Sequence, residues 1–272
     1  VAGQGKKWLI GCGVGCAVTM LVGVLLLVGG GFLMMRPFNE AVEHQTELVD
    51  LYGQREDFIP QPDGLTPDRL EAFLAIREEM LVHCQTFEDI AASFREMDKL
   101  DQQGDDPPVG EILKGVGNVM GSAMSMAGEI GALVASRNNE LLKNKMGLGE
   151  YAWIYVLAYN SWLGYTPNTE YQGDSSEGFS ERESRFIKQL MLNHARALEE
   201  VERHQEANLW RDEAGRLSRS EGRVPFNAGS PPPEITAALV PYRTRLEASY
   251  CAAMAQFDLN NVKKKGFSIQ SY

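Results

Sequence analysis

WLIGCGVGCAVTMLVGVLLLVGGGFLMM, from Trp8 to Met35, runs without a charged residue between Lys6-Lys7 and Arg36-Pro37. A helix rises about 1.5 Å per residue, so a run this long exceeds the roughly 30 Å hydrocarbon core of a bilayer and spans it with tilt or overhang. The reading is an N-terminal tail and membrane anchor over 1–36. A cleaved signal peptide would have a shorter apolar core and a small-x-small cleavage site, and the exit FLMMRPF offers none. Leu9-Ile10-Gly11-Cys12 has the shape of a lipoprotein box, but it stands almost against Lys7, where a hydrophobic region should come first.

Within the run, Gly11, Gly15, Thr19 and Gly23 recur every fourth residue. Helices in lipid associate by close backbone packing, and small-xxx-small ridges permit it, so these four positions are the expected helix-docking face. The run holds no Asp, Glu, Lys, Arg or His, which excludes an ion pathway or a proton relay inside it.

Working outward, the chain of 272 residues carries a formal net charge of −11. That sign argues against nucleic acid as a partner and against a broad electrostatic grip on anionic lipid. Lys6 and Lys7 crowd the N-terminal flank, whereas only Arg36 precedes Arg55 on the other. The positive-inside rule then puts the N-terminus in the cytoplasm and the large domain in the periplasm of a bacterial inner membrane. Cys84 and Cys251 are the two cysteines outside the apolar run and form the candidate disulfide, with two buried thiols as the other reading.

A juxtamembrane helix and linker fill 37–64, ending in the turn signals of DFIPQPDG. Thr66-Pro67-Asp68 is a helix start, and Leu70, Phe73, Leu74, Leu81, Cys84, Phe87, Ala91 and Phe94 share one face of a helix drawn to about Gln102. The stretch 109–146 is rich in Gly, Ala, Ser and Met, with its polar residues on one narrow line, and reads as a helix surrounded by others. The aromatic run LGEYAWIYVLAYNSWL (148–163) reads as a helix at a helix–helix junction rather than at the membrane surface. Ser180-Glu181-Arg182-Glu183 is a capping box opening a second long helix to about Ser218, with Ile187, Leu190, His194, Leu198, Val201, Gln205 and Leu209 facing inward. A last helix over about 233–260 is kinked or split at Pro241. The expected fold is all-α: one transmembrane helix, then an antiparallel helical bundle with two long helices in a domain over 65–260. A basic tail, 261–272, follows.

No nucleophile elbow, phosphate-binding glycine loop, His-Glu-x-x-His or Cys-x-x-Cys-His motif occurs in the sequence. Glu40/His44 and Glu200/His204 are i, i+4 pairs, which are ordinarily solvated contacts. The expectation is therefore a chain that is not an enzyme and has neither cofactor nor metal. Met120, Met124, Tyr151 and Trp153 are the candidate interaction or apolar-ligand surface.

Leu65 to Arg77 (LTPDRLEAFLAIR) resembles a helix start in uncharacterised bacterial single-span membrane proteins, and Gly147 to Ile154 (GLGEYAWI) resembles the opening of a later helix in them. The resemblance implies an anchor followed by helices and transfers no site residue. Together these features lead to a non-catalytic bitopic accessory or scaffold subunit. Its partners would be the transmembrane helices of a larger complex, photosynthetic or respiratory, with the photosynthetic kind placed first. The alternative is an envelope protein that holds a lipid or other apolar ligand in its helical domain.

Overall fold

The computed structural model describes residues 39–101, 128–166, 179–217, 224–226 and 230–259. The Trp8–Met35 run with its ridge of Gly11, Gly15, Thr19 and Gly23 lies outside these residues, as do Met120, Met124 and the basic tail. Among the described residues every regular element is helical and no strand occurs. No helix among them is long and apolar enough to cross a membrane.

Helix α1 covers 39–52 and buries Ala41 and Leu48, two turns apart on one face. It stops at Gly53, whose φ of +79° suits a residue without a Cβ. Helix α2 (Pro67–Met80) starts behind Thr66, whose carbonyl accepts from the amides of Arg69 and Leu70. The Thr66 hydroxyl makes no capping bond, so this start rests on Pro67 and on backbone geometry. The single helix expected from 66 to 102 is in fact two. A 3₁₀ turn over Leu81–His83 separates α2 from α3 (Cys84–Asp101). Three residues per turn instead of 3.6 re-aims the face that α3 presents.

Helix α4 covers 128–143, the described part of the stretch expected as one helix over 109–146 (109–127 lie outside the described residues), and all of it except Lys143 is buried or half-buried. It ends at Lys143, four residues before the expected stop at Gly147. Lys145 takes φ +50°, its amide reaches the Leu142 carbonyl, and the Met146 amide reaches Leu141. This is a Schellman cap built without glycine. Helix α5 (Leu148–Tyr155) continues directly as a π-helical stretch, Val156–Trp162. Tyr151, Trp153, Tyr155 and Tyr159 are all buried there, packed within the protein rather than facing a membrane.

The second long helix is also divided, and here the correction is larger. Helix α6 (Glu181–Glu200) opens with the capping box, Glu183 N–H donating to Ser180 Oγ and Ser180 N–H to Glu183 Oε2. It closes with another Schellman cap, in which Glu202 at φ +61° donates to Glu199 and Arg203 to Leu198. Helix α7 (His204–Leu217) then folds back on α6, where Arg211 pairs with Glu199. Val201 and Leu209, expected on the inward line, are therefore exposed, and Ala207, Trp210, Ala214 and Leu217 face the core instead. Pro241 splits the last segment into α8 (Pro233–Leu239), a 3₁₀ turn and α9 (Arg243–Ala248). A short α10 (Ala255–Asp258) ends the described chain.

Candidate functional site

The feature that sets this fold apart is a charged cluster in its centre. Arg77 lies on the apolar face of α2 between Phe73, Leu74 and Met80, and its side chain is fully buried. Asp258 comes from α10 and is equally buried, with Oδ1 accepting from Arg77 Nη1 at 2.6 Å. The same Nη1 donates to Tyr151 Oη at 2.9 Å, and Nη2 donates to the Ser249 carbonyl at 3.2 Å. The Arg77 guanidinium lies 5.3 and 5.4 Å from the ring centres of Tyr155 and Tyr159, so cation–π attraction adds to the ion pair.

Two more buried arginines reach the same C-terminal segment. Arg137 of α4 donates to the Asp258 carbonyl at 2.7 Å, and its Nε and Nη2 donate to Asn138 Oδ1. Asn138 in turn donates to the Ala41 carbonyl, tying α4 to α1. Arg55 donates to the Leu259 carbonyl at 2.5 Å and lies over the Phe186 ring. Arg55, Arg77 and Arg137 thus converge on residues 258–259 from three separate parts of the chain.

Burial shapes the electrostatics of this cluster. Burial lowers the Arg77 pKa, but Asp258 and then the three tyrosines more than offset it and hold the group well above its ordinary value. For Arg137 burial wins: resisted by Tyr151 and Asp258 and reinforced by Arg55 and Arg77, it brings the pKa to about 10. Burial raises Tyr151, Tyr155 and Tyr159, keeping them neutral phenols. Tyr159 Oη and Ser249 Oγ share a hydrogen bond of 2.8 Å. Among the described residues, Tyr155 Oη, Asp258 Oδ2 and Arg77 Nε have no hydrogen-bond partner.

Cys84 and Cys251 are joined as a disulfide, linking the first residue of α3 to the segment that carries Asp258 across a sequence separation of 167. A second cluster forms around Trp153, which lies between Tyr151 and Tyr155 on α5. Trp153 packs on Trp210 at 5.1 Å and on His194 at 5.3 Å, and Trp210 meets Phe226 edge-on. Burial lowers the His194 pKa to about 4, against the pull of the Pro60 carbonyl 3.4 Å from Nδ1.

Tyr151 and Trp153, expected on an interaction or ligand surface, therefore have the protein's own side chains as neighbours. Tyr151 belongs to the charged cluster and Trp153 to the aromatic one, and neither offers an open face. The cluster residues that sequence reasoning missed are Arg55, Arg77, Arg137, Ser249 and Asp258. Two of them carried a signal, because Arg77 and Arg137 interrupt apolar lines at helical period. What the arrangement does chemically is fix the C-terminal segment against α2, α4 and the 3₁₀ turn Arg55–Asp57 through charge-assisted hydrogen bonds. No family model, curated protein or solved structure matches this chain.

Proposed function

We propose that this chain is a non-catalytic, single-span accessory subunit. Its Trp8–Met35 run docks among the transmembrane helices of a larger complex through Gly11, Gly15, Thr19 and Gly23. Its helical domain is a rigid body on the oxidising side of the membrane.

The observation that carries the reading is the Cys84–Cys251 link, which ties α3 to the far end of the described chain. Structural disulfides persist in the periplasm and its equivalents and are rare in the cytosol. That compartment agrees with the lysine placement around the apolar run. The arginine clamp on residues 258–259 supports the rigid-body part, since it joins α1, α2, α4 and the C-terminal segment into one network.

Cysteine alkylation in intact cells, followed by protease treatment of spheroplasts, tests the topology. The expected result is a thiol pair at 84 and 251 blocked until reductant is added, and a domain digested from outside. A domain that resists external protease while its cysteines label freely contradicts the proposal.

A further inference from the structure

The stretch 56–63, between α1 and α2, is held along its inner edge by side chains of α6 and of the residue just before α7. Asn193 Nδ2 donates to the Glu56 and Phe58 carbonyls at 3.2 and 2.9 Å. His194 Nδ1 stands 3.4 Å from the Pro60 carbonyl, and Arg203 donates to the Pro62 carbonyl. Every second carbonyl is thus engaged by the protein, while Asp57, Ile59, Gln61 and Asp63 between them are exposed. This strap is a fixed platform whose outward face carries an apolar side chain between two carboxylates. Among the described residues neither Asp57 nor Asp63 makes a hydrogen bond or close ion pair, and Asp63 acts on Arg203 only at a distance.

The other end of the described chain comes to the same place. Arg55, at the start of the strap, donates to the Leu259 carbonyl, so Leu259 lies one arginine side chain away from it. Residues 260–272, NNVKKKGFSIQSY, lie outside the described residues. They hold Lys263, Lys264 and Lys265 and no acidic residue, in a chain whose net charge is −11.

We propose that residues 260–272 dock back on the strap, with Lys263–Lys265 paired to Asp57 and Asp63 and the lysine stems lying over Ile59. Long lysine side chains cover apolar surface while keeping the ammonium in water, which suits a half-exposed isoleucine between two acids. The reach is sufficient. Lys263 is four residues beyond Leu259, about 13 Å of extended chain, and Asp57 is two residues beyond Arg55. Lys265 reaches about 20 Å, which with its side chain covers the run from Asp57 to Asp63. Exposed ion pairs are individually weak, so a free peptide of this sequence would bind loosely. The short tether supplies an effective concentration on the order of millimolar and keeps a weak contact made. The proposal concerns the helical domain and does not rest on how the chain docks in a membrane.

The test couples carboxylates to amines with a zero-length carbodiimide on the full chain in neutral detergent at low salt, using an equal mixture of ordinary and isotopically labelled protein. The expected products join Lys263–Lys265 to Asp57 or Asp63 within single chains. They should disappear at about 1 M salt, where the Debye length falls to about 3 Å, and persist in bilayer discs containing phosphatidylglycerol. Replacing both carboxylates, Asp57→Asn with Asp63→Asn, should speed tryptic cleavage after Lys263–Lys265 about fivefold, since cleavage tracks the undocked population. Coupling between labelled and unlabelled chains would assign the lysines to a second copy, and loss of coupling in the anionic discs would assign them to lipid headgroups. Either result overturns the proposal, as does absence of the products in detergent or an unchanged cleavage rate in the double variant.

Discussion

Replacing Asp258 with Ala removes the only carboxylate within hydrogen-bond reach of Arg77 among the described residues and leaves that guanidinium buried with Tyr151 and a carbonyl as partners. At the observed 2.6 Å separation and an effective dielectric of about 20, the Coulomb attraction lost is about 6 kcal/mol. Desolvating the two ions to form the pair consumes several kcal/mol, so the intact pair is close to neutral against a hydrophobic replacement. Breaking it from one side is different, because the desolvation of Arg77 is then no longer offset, and the expected loss is about 3–5 kcal/mol. That is a large part of the roughly 5–15 kcal/mol that stabilises a domain. Urea unfolding of the oxidised chain, followed by circular dichroism, measures it through the midpoint at constant slope. Adding Arg77→Met to Asp258→Ala should recover at least about 2 kcal/mol, since the orphaned charge disappears. A single substitution that costs less than about 1 kcal/mol, or a double variant that loses the sum of both, refutes the clamp.

Three further outcomes follow from the packing. Unfolded, His194 takes up a proton near its ordinary 6.5, but folded only near 4, so acid favours the unfolded chain. Stability should fall by on the order of 3 kcal/mol as pH drops from about 6.5 to 4, and His194→Gln should flatten that slope in urea titrations at each pH. Gly149→Ala would place a Cβ 2.5 Å from the Arg55 carbonyl oxygen and 2.3 Å from Phe58 Cβ. Backbone has to move, so a net loss of about 2 kcal/mol is expected despite alanine's better helix propensity. A melting temperature equal to the parent's would contradict that placement of residues 55–58. Reducing the disulfide frees a loop with a sequence separation of 167, worth up to about 5 kcal/mol in chain entropy. Unfolding with and without reductant measures it, and an unchanged midpoint would show that the link constrains nothing.

Much of the helical architecture was legible because its signals are local. The capping box at Ser180, Pro67 at a first helical position and the break at Pro241 each act over a single turn, and all three appear in the structure. The helix end near Lys145 was legible only through Gly147 just beyond it, and the end at Glu202 was not legible. Both caps need a left-handed residue, a position that normally draws glycine, and here lysine and glutamate occupy it. With no glycine at 201–203, periodicity ran straight on and put Val201 and Leu209 on the wrong side. The charged cluster was hidden for another reason. Arg77 and Asp258 are far apart in sequence, and composition alone assigns charges to solvent. Only the juxtaposition of α2, α4, α10 and the 3₁₀ turn Arg55–Asp57 turns three arginines and one aspartate into a clamp. Cys84 and Cys251 were paired by count alone, since they are the two cysteines outside the apolar run.

The central claim is that this chain is a docked accessory subunit, and extraction of native membranes in mild detergent tests it most directly. The chain should purify in a fixed ratio with a larger membrane complex, and a Gly15→Leu variant, folded and inserted, should fall out of it. A chain that purifies alone or with lipid only, or a Gly15→Leu variant that keeps the same ratio, contradicts it.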